Sequence, residues 1–315
     1  MPVRVLFLAG MGRSGTTLLE RVIAGIPGAV GLGEVVHLWQ RGVRDDERCG
    51  CGLVFSRCSF WQQVGASAFG GWDRVDVDAV QALRGRVDRV RHVPALLRRS
   101  PARDLRIARD AYAAAFSAVY RAAAEVAGAT VVIDSSKQAS LPHVLAARED
   151  IDLRVVHCVR DARAVCYAWT KRVERPDTVA RASYMAQYSP RTMARMWASH
   201  NAAVELVRLH GVPVMRLRYE DFLADPVPVS TELARFAGLP AGPGSLRHIR
   251  SDQVQLPVTH SAAGNPLRFM VGPVPLRRDD VWQAAFPARQ RRLVTALTWP
   301  LLVRYGYPAT SRTTP

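Results

Sequence analysis

Lysine is almost missing from this chain. Its 43 basic residues include two lysines, Lys137 and Lys171, and the rest are arginine. No apolar run is long enough to span a bilayer. The opening Met1-Pro2-Val3-Arg4 and the short apolar run after it lack the cleavage site and longer apolar core of a secretory leader, so a cytoplasmic location is expected. Cysteines number five: Cys49, Cys51, Cys58, Cys158 and Cys166. An odd count without a leader argues for reduced thiols and against a disulfide framework. There is no internal repeat, linker or low-complexity segment. No nucleic-acid motif or aromatic stacking pattern accompanies the arginines, which ranks nucleic acid last among anionic partners.

What remains is a chain of 315 residues, 49% hydrophobic, with a net charge of +16. That length suits one large α/β domain carrying an insertion, with ample core. Most of the arginine excess reads as solvated charge. The remainder fits an acidic ligand, because guanidinium pairs bidentately with phosphate and sulfate. One dense run, Arg84, Arg86, Arg89, Arg91, Arg98, Arg99, Arg103, Arg106 and Arg109, offers a surface to an anionic acceptor or a membrane.

Short β-branched runs alternate with helical periodicity. Strands are expected at 3–9, 129–133, 153–159 and 212–217, with a short one at 29–32. Helices are expected at 16–25, 161–174, 180–211 and 286–305. Residues 76–127 carry helical periodicity broken at Pro94 and Pro101. The alternation predicts a parallel sheet flanked by helices with ligands at the carboxyl ends of the strands, and the glycine loop after the first strand makes the expected fold a P-loop-like nucleotide-binding core. Residues 1–315 read as a single domain in which 43–127 is a helical insertion or cap that shapes the acceptor site. In that insertion, Cys49, Cys51 and Cys58 would hold zinc only if a fourth ligand such as His37 came near. The spacing is not a standard zinc pattern, and a loop with packed thiols is the preferred reading.

The most informative stretch is Gly10-Met11-Gly12-Arg13-Ser14-Gly15-Thr16-Thr17, between an apolar strand and a helix. Backbone N–H groups and a helix N-terminus in that setting hold phosphate. The loop nearly matches G-x-x-x-x-G-K-[ST], but Thr16 stands where a nucleotide triphosphatase needs lysine, and the cation is Arg13 instead.

That loop resembles the 5′-phosphosulfate loop, P-[KR]-S-G-T-T, of sulfotransferases that use 3′-phosphoadenylyl sulfate (PAPS). Val159-Arg160-Asp161-Ala162-Arg163 resembles their 3′-phosphate motif. The tyrosine-sulfotransferase branch is the nearest in motifs. The resemblance implies that Gly12, Arg13, Ser14, Gly15, Thr16, Thr17, Arg160, Arg172, Tyr219 and Arg268 bind the nucleotide. It implies further that Glu34, Arg13, Lys137 and Ser251 are catalytic. Glu34, twenty-one residues after Arg13, matches the general base. Lys137 in Asp134-Ser135-Ser136-Lys137 matches a catalytic lysine. Ser251 in Arg250-Ser251-Asp252-Gln253-Val254 matches a catalytic serine, with one residue fewer than the family pattern before the Asp. Arg268 lies in Gly264-Asn265-Pro266-Leu267-Arg268, and Tyr219 in Arg218-Tyr219-Glu220-Asp221. Ala168 stands where the family has a 3′-phosphate serine, and Thr170 is the candidate substitute.

The resemblance implies transfer of a sulfuryl group from PAPS to an acceptor hydroxyl by in-line displacement, with a carboxylate base and no metal. A small-molecule or lipid-linked alcohol or phenol is the expected acceptor. The alternatives are a P-loop kinase, disfavoured by the missing lysine, and a catalytically silent nucleotide-binding module.

Overall fold

Five strands form the core of the protein, seen in a computed structural model that describes residues 1–176 and 183–308. They are β1 (Val3–Ala9), β2 (Ala29–Gly31), β3 (Val131–Lys137), β4 (Ile151–Val159) and β5 (Val214–Arg218). All pair in parallel, in the order β2-β3-β1-β4-β5. This is the sheet the alternation predicted.

The apolar run of β1 explains its central place. Val5 to Ala9 are wholly buried, because both faces of the sheet are covered. Alternate side chains serve different cores. Val5, Phe7 and Ala9 point into one core with Val132 of β3 and Val155 of β4. Leu6 and Leu8 point into the other with Ile133 and Val156. A one-residue slip of β1 would exchange the two sets.

Helix α1 (Thr16–Ile23) covers the second face and begins directly at the glycine loop. The first face is covered by residues from the expected insertion. These form α2 (Ser59–Phe69), α3 (Val77–Val87) and the long α4 (Arg103–Ala127). Pro101 precedes α4 and Gly128, at φ 59°, ends it in the left-handed conformation of a glycine C-cap. The buried stripe of α4, including Tyr112, Phe116 and Tyr120, shares one continuous core with β1, β3 and β4.

Three further helices, α5 (Ala162–Thr170), α6 (Pro190–Glu205) and α7 (Ala288–Arg304), pack together around Trp197 and Tyr305. The helix expected over 180–211 starts only at Pro190, where Ser189 caps it through the Thr192 amide. Part of that expectation, 177–182, lies outside the described residues. A late hairpin, β6 (Gln253–Leu256) with β7 (Gly272–Pro275), packs on the α1 side. No helix among the described residues is long and apolar enough to cross a membrane.

Candidate active site

Three backbone constraints shape the glycine loop. A Cβ on Gly12 would lie 2.7 Å from the Trp169 ring, and one on Gly15 would lie 2.1 Å from the Tyr219 ring. Gly15 sits at φ 84°, and Arg13, with a full side chain, at φ 75°. Positive φ in a non-glycine residue is a strained conformation that surrounding structure must hold in place. Here Trp169 donates to the Gly12 carbonyl at 2.9 Å, and Arg160 donates to the Arg13 carbonyl at 3.1 Å. α5, which carries Trp169, and the end of β4, which leads to Arg160, therefore set the loop. The side chains of this loop are left with unmet donors: Arg13 Nε, Ser14 Oγ and Thr16 Oγ1 are buried without a partner. Unpaired buried polar atoms are costly. Three within one loop at a helix N-terminus suit a bound tetrahedral anion.

Opposite the loop lies an acid–base pair. Gly33 at φ 75° turns the chain after β2 so tightly that a Cβ would strike the Ala263 carbonyl oxygen at 2.6 Å. The turn presents Glu34, whose amide donates to that same carbonyl at 3.1 Å. Lys137 reaches Glu34 from the end of β3, where its backbone is also left-handed at φ 64°. Its ammonium lies 3.4 Å from Thr17 Oγ1 of the loop. His37 Nε2 is 3.5 Å from the other oxygen of Glu34. Burial alone would raise the Glu34 pKa. The charge and hydrogen bond of Lys137, helped by His37 and Arg41, overcome it and hold the carboxyl down at about 2. For His37, burial outweighs the attraction of Glu34 and lowers its pKa to about 3, so the imidazole is neutral at pH 7.

Beneath this site, Glu20 of α1 accepts hydrogen bonds from Ser135 Oγ (2.6 Å), the Gly33 amide (2.7 Å) and Ser261 Oγ (3.1 Å). Burial raises its pKa. Arg21 donates to the carbonyls of Pro257, Leu267 (2.8 Å) and Met270 (2.7 Å). Two adjacent buried polar side chains of α1 thus anchor the Glu34 turn, the end of β3 and the strap of residues 257–270.

Gly12, Arg13, Gly15, Thr16, Thr17, Glu34, Lys137, Arg160 and Tyr219 line one cavity of about 400 Å³. All nine were expected at the site from the sequence, and they arrive from the ends of all five strands and from α1. Arg160 stacks over Tyr219, its guanidinium carbon 5.2 Å from the ring centroid, and pairs with Asp279 at 3.2 Å. Asp161, its neighbour, caps α5 through the Arg163 amide. Ala168 lines the cavity. Thr170, the expected substitute for the family serine, does not line it, and its hydroxyl is spent on the Tyr167 carbonyl at 2.7 Å.

Four expectations are not met by the geometry. Ser251 is exposed and does not line the cavity. It sits in the turn before β6, where His248 lies 2.8 Å from the Val22 carbonyl. That is the far end of α1, about 9 Å along the helix from the loop at 1.5 Å per residue. Arg268 is wholly buried outside the cavity lining and donates at 2.6 Å to each of the Ser261 and Arg48 carbonyls, so it ties backbone together. Arg172 is exposed, its guanidinium stacked 3.7 Å over Tyr184, while its neighbour Lys171 lines the cavity. No described residue of 43–127 lines the cavity. Ser14 is buried in the loop, with its hydroxyl unpaired.

Sequence reasoning also missed residues that are present. His37 and Arg41 line the cavity, three and seven residues after Glu34, a helical spacing that was legible. Asn265 lies in the motif read for Arg268, whereas Trp169 and Asp279 carry no local signal.

Residues 6–243 match the family model described as the sulfotransferase family. The chain belongs to the sulfotransferase family. Among solved structures, the sulfotransferase domain from the curacin biosynthetic pathway is 17% identical at a TM-score of 0.50, covering 98% of this chain and 99% of that one. The sulfotransferase domain of the Synechococcus PCC 7002 olefin synthase is 19% identical at 0.49, covering 98% and 96%. Sulfotransferase STF9 from Mycobacterium avium is 10% identical at 0.45, covering 98% and 78%. At these identities the likeness is one of fold. No curated protein sequence matches this sulfotransferase.

Proposed function

We propose that this sulfotransferase takes its sulfuryl group from PAPS and passes it to an acceptor hydroxyl, with Glu34 as the base. The observation that carries the reading is the Glu34–Lys137 pair facing the phosphate-binding loop across one cavity. The unpaired donors of Arg13, Ser14 and Thr16 suit the 5′-phosphosulfate. Arg160 and Tyr219 suit the 3′-phosphoadenosine end. They adjoin a second cavity of about 310 Å³ that adds Arg163, Arg218 and Arg278.

The acceptor oxygen attacks sulfur as the bond from sulfur to the 5′-phosphate oxygen breaks, and that oxygen leaves with the electron pair. Glu34 takes the acceptor proton. Its depressed pKa means the carboxylate is present throughout neutral pH. A base this acidic is weak while Lys137 holds it. The donor's bridging oxygen would draw Lys137 away, so the same movement strengthens the base and neutralises charge on the leaving group. Arg13 adds a second fixed cation. Ser251, Arg172 and Arg268 have no part in this scheme. The chain acts as a single domain, 1–315, in which 43–127 buttresses the sheet behind the site.

The acceptor is a small or lipid-linked alcohol or phenol. His37, Arg41, Lys171, Val173 and Met185 give its side of the cavity a mixed basic and apolar wall. Cysteines that form no disulfide among the described residues suit a reducing, cytoplasmic setting. Exposed Arg98, Arg99, Arg103 and Arg106 leave a basic surface for an anionic membrane. Thermal-shift titration tests the donor class: 3′,5′-bisphosphoadenosine should stabilise the protein more than ATP with magnesium. The reverse order would remove PAPS from the account.

A further inference from the structure

The three cysteines of the insertion do not meet His37, which faces Glu34. They meet His260, from the strap that follows β6. The ligand atoms of Cys49, Cys51, Cys58 and His260 all lie within 4.8 Å of one another. Cys51 Sγ to Cys58 Sγ is 3.8 Å, Cys49 Sγ to His260 Nδ1 is 3.9 Å, and Cys58 Sγ to His260 Nδ1 is 3.3 Å. In a tetrahedral zinc site, metal bonds of about 2.3 Å to sulfur and about 2.0 Å to nitrogen set ligand–ligand edges of about 3.8 Å (S to S) and about 3.5 Å (S to N). Those three edges, 3.8, 3.9 and 3.3 Å, fall around these values. Three thiols and an imidazole converging in this way are a soft, closed donor set that suits zinc.

We propose that Cys49, Cys51, Cys58 and His260 hold one structural zinc ion. The surroundings are built to keep the four ligands converged. The Gly52 amide donates to the Cys49 carbonyl at 2.8 Å, and Gly52 at φ 89° makes the tight turn that brings Cys51 back. Phe60 stacks on the His260 ring, centroids 4.8 Å apart, and Trp61 donates to the His260 carbonyl at 2.8 Å. The Gly50 amide donates to the Ser261 carbonyl at 3.0 Å. Arg268 bridges the carbonyls of Arg48 and Ser261, the residues next to two of the ligands.

The site would pin the insertion to the strap that supports Glu34. One residue past His260, Ser261 bonds Glu20; Ala263 holds the Glu34 amide; Asn265 lines the cavity. The metal thus acts through the backbone and touches no reacting atom. This inference stands apart from the donor nucleotide, and its readouts need none.

The test is metal analysis of the full-length protein from zinc-supplemented medium, followed by exchange with cobalt(II). The expected result is one zinc per chain and a cobalt protein showing thiolate-to-metal charge transfer with tetrahedral d–d bands. Zinc removal by a chelator should lower the melting temperature. Cys58→Ser and His260→Ala should lose the metal, whereas His260→Cys, which keeps four soft ligands, should retain it. Wild-type measurements suffice if the first two variants fail to fold. A folded wild-type protein that stays zinc-free in excess zinc overturns the proposal, whether its five thiols titrate freely or Cys51 and Cys58 form a disulfide. So does zinc that remains stoichiometric in Cys58→Ser.

Discussion

Replacing Lys137 by Met should make stability depend on pH in a direction opposite to ordinary acid denaturation. The two side chains of the Glu34–Lys137 pair are 13% and 14% exposed. The fall of the Glu34 pKa from 4.5 to about 2 corresponds to roughly 3 kcal/mol of preference for the ionised form, at about 1.4 kcal/mol per pH unit. In the wild type this contribution is complete above the unfolded-state pKa and is lost as pH falls through about 2. Without Lys137, burial dominates and lifts the carboxyl above its ordinary range. The folded variant then holds a proton that its unfolded state has released. Its stability deficit should be about 3–5 kcal/mol at pH 7, the usual result of orphaning one member of a buried pair. The deficit should narrow by about 1.4 kcal/mol per pH unit once the variant's carboxyl protonates. Urea unfolding of both proteins from pH 7 to pH 5 reads this directly. Adding Glu34→Gln to Lys137→Met should recover much of the loss, since no buried charge is left unpaired. A deficit that is constant with pH, or a double variant no better than the single one, would refute the reasoning.

Arg160→Ala should weaken nucleotides that carry a 3′-phosphate by roughly 1.5–3 kcal/mol, the worth of one charge-assisted bond, and leave 5′-only nucleotides nearly unchanged. Calorimetric titration with both classes checks it, and equal weakening would make Arg160 a support for the Arg13 carbonyl alone. Ala168→Ser places a hydroxyl on the cavity wall where Thr170 is already committed. Binding of 3′,5′-bisphosphoadenosine should tighten by about 0.5–1.5 kcal/mol with folding intact. Weaker binding at unchanged stability would show that α5 meets the ligand differently.

The parts of this molecule that were legible in its sequence are those written within a few residues. An apolar run, three glycines and a helix start define β1, the loop and α1, because each depends on neighbouring residues for its backbone path. Glu34, Lys137 and Arg160 follow strand ends, and a parallel sheet gathers strand ends whatever lies between them. The late segment was misread because a motif does not say which way its chain travels. Ser251 opens a hairpin that packs at the far end of α1, and Arg268 turns inward to backbone carbonyls. Contacts across long separations left no trace at all. Asp279 meets Arg160 over 119 residues, and His260 meets Cys58 over 202. No local spacing could have nominated His260 over His37 as the fourth partner of the cysteines.

The central claim is that Glu34 serves as the base for sulfuryl transfer from PAPS, and a transfer assay tests it most directly. Sulfur-labelled PAPS is incubated with a cell extract and either the wild-type protein or Glu34→Gln, with binding of 3′,5′-bisphosphoadenosine measured in parallel. The account predicts label moving from nucleotide to an acceptor with the wild type. It predicts a rate lower by about 10²–10⁴-fold with the variant, the usual cost of losing a general base, at nearly equal nucleotide affinity. Transfer by Glu34→Gln at the wild-type rate would contradict it.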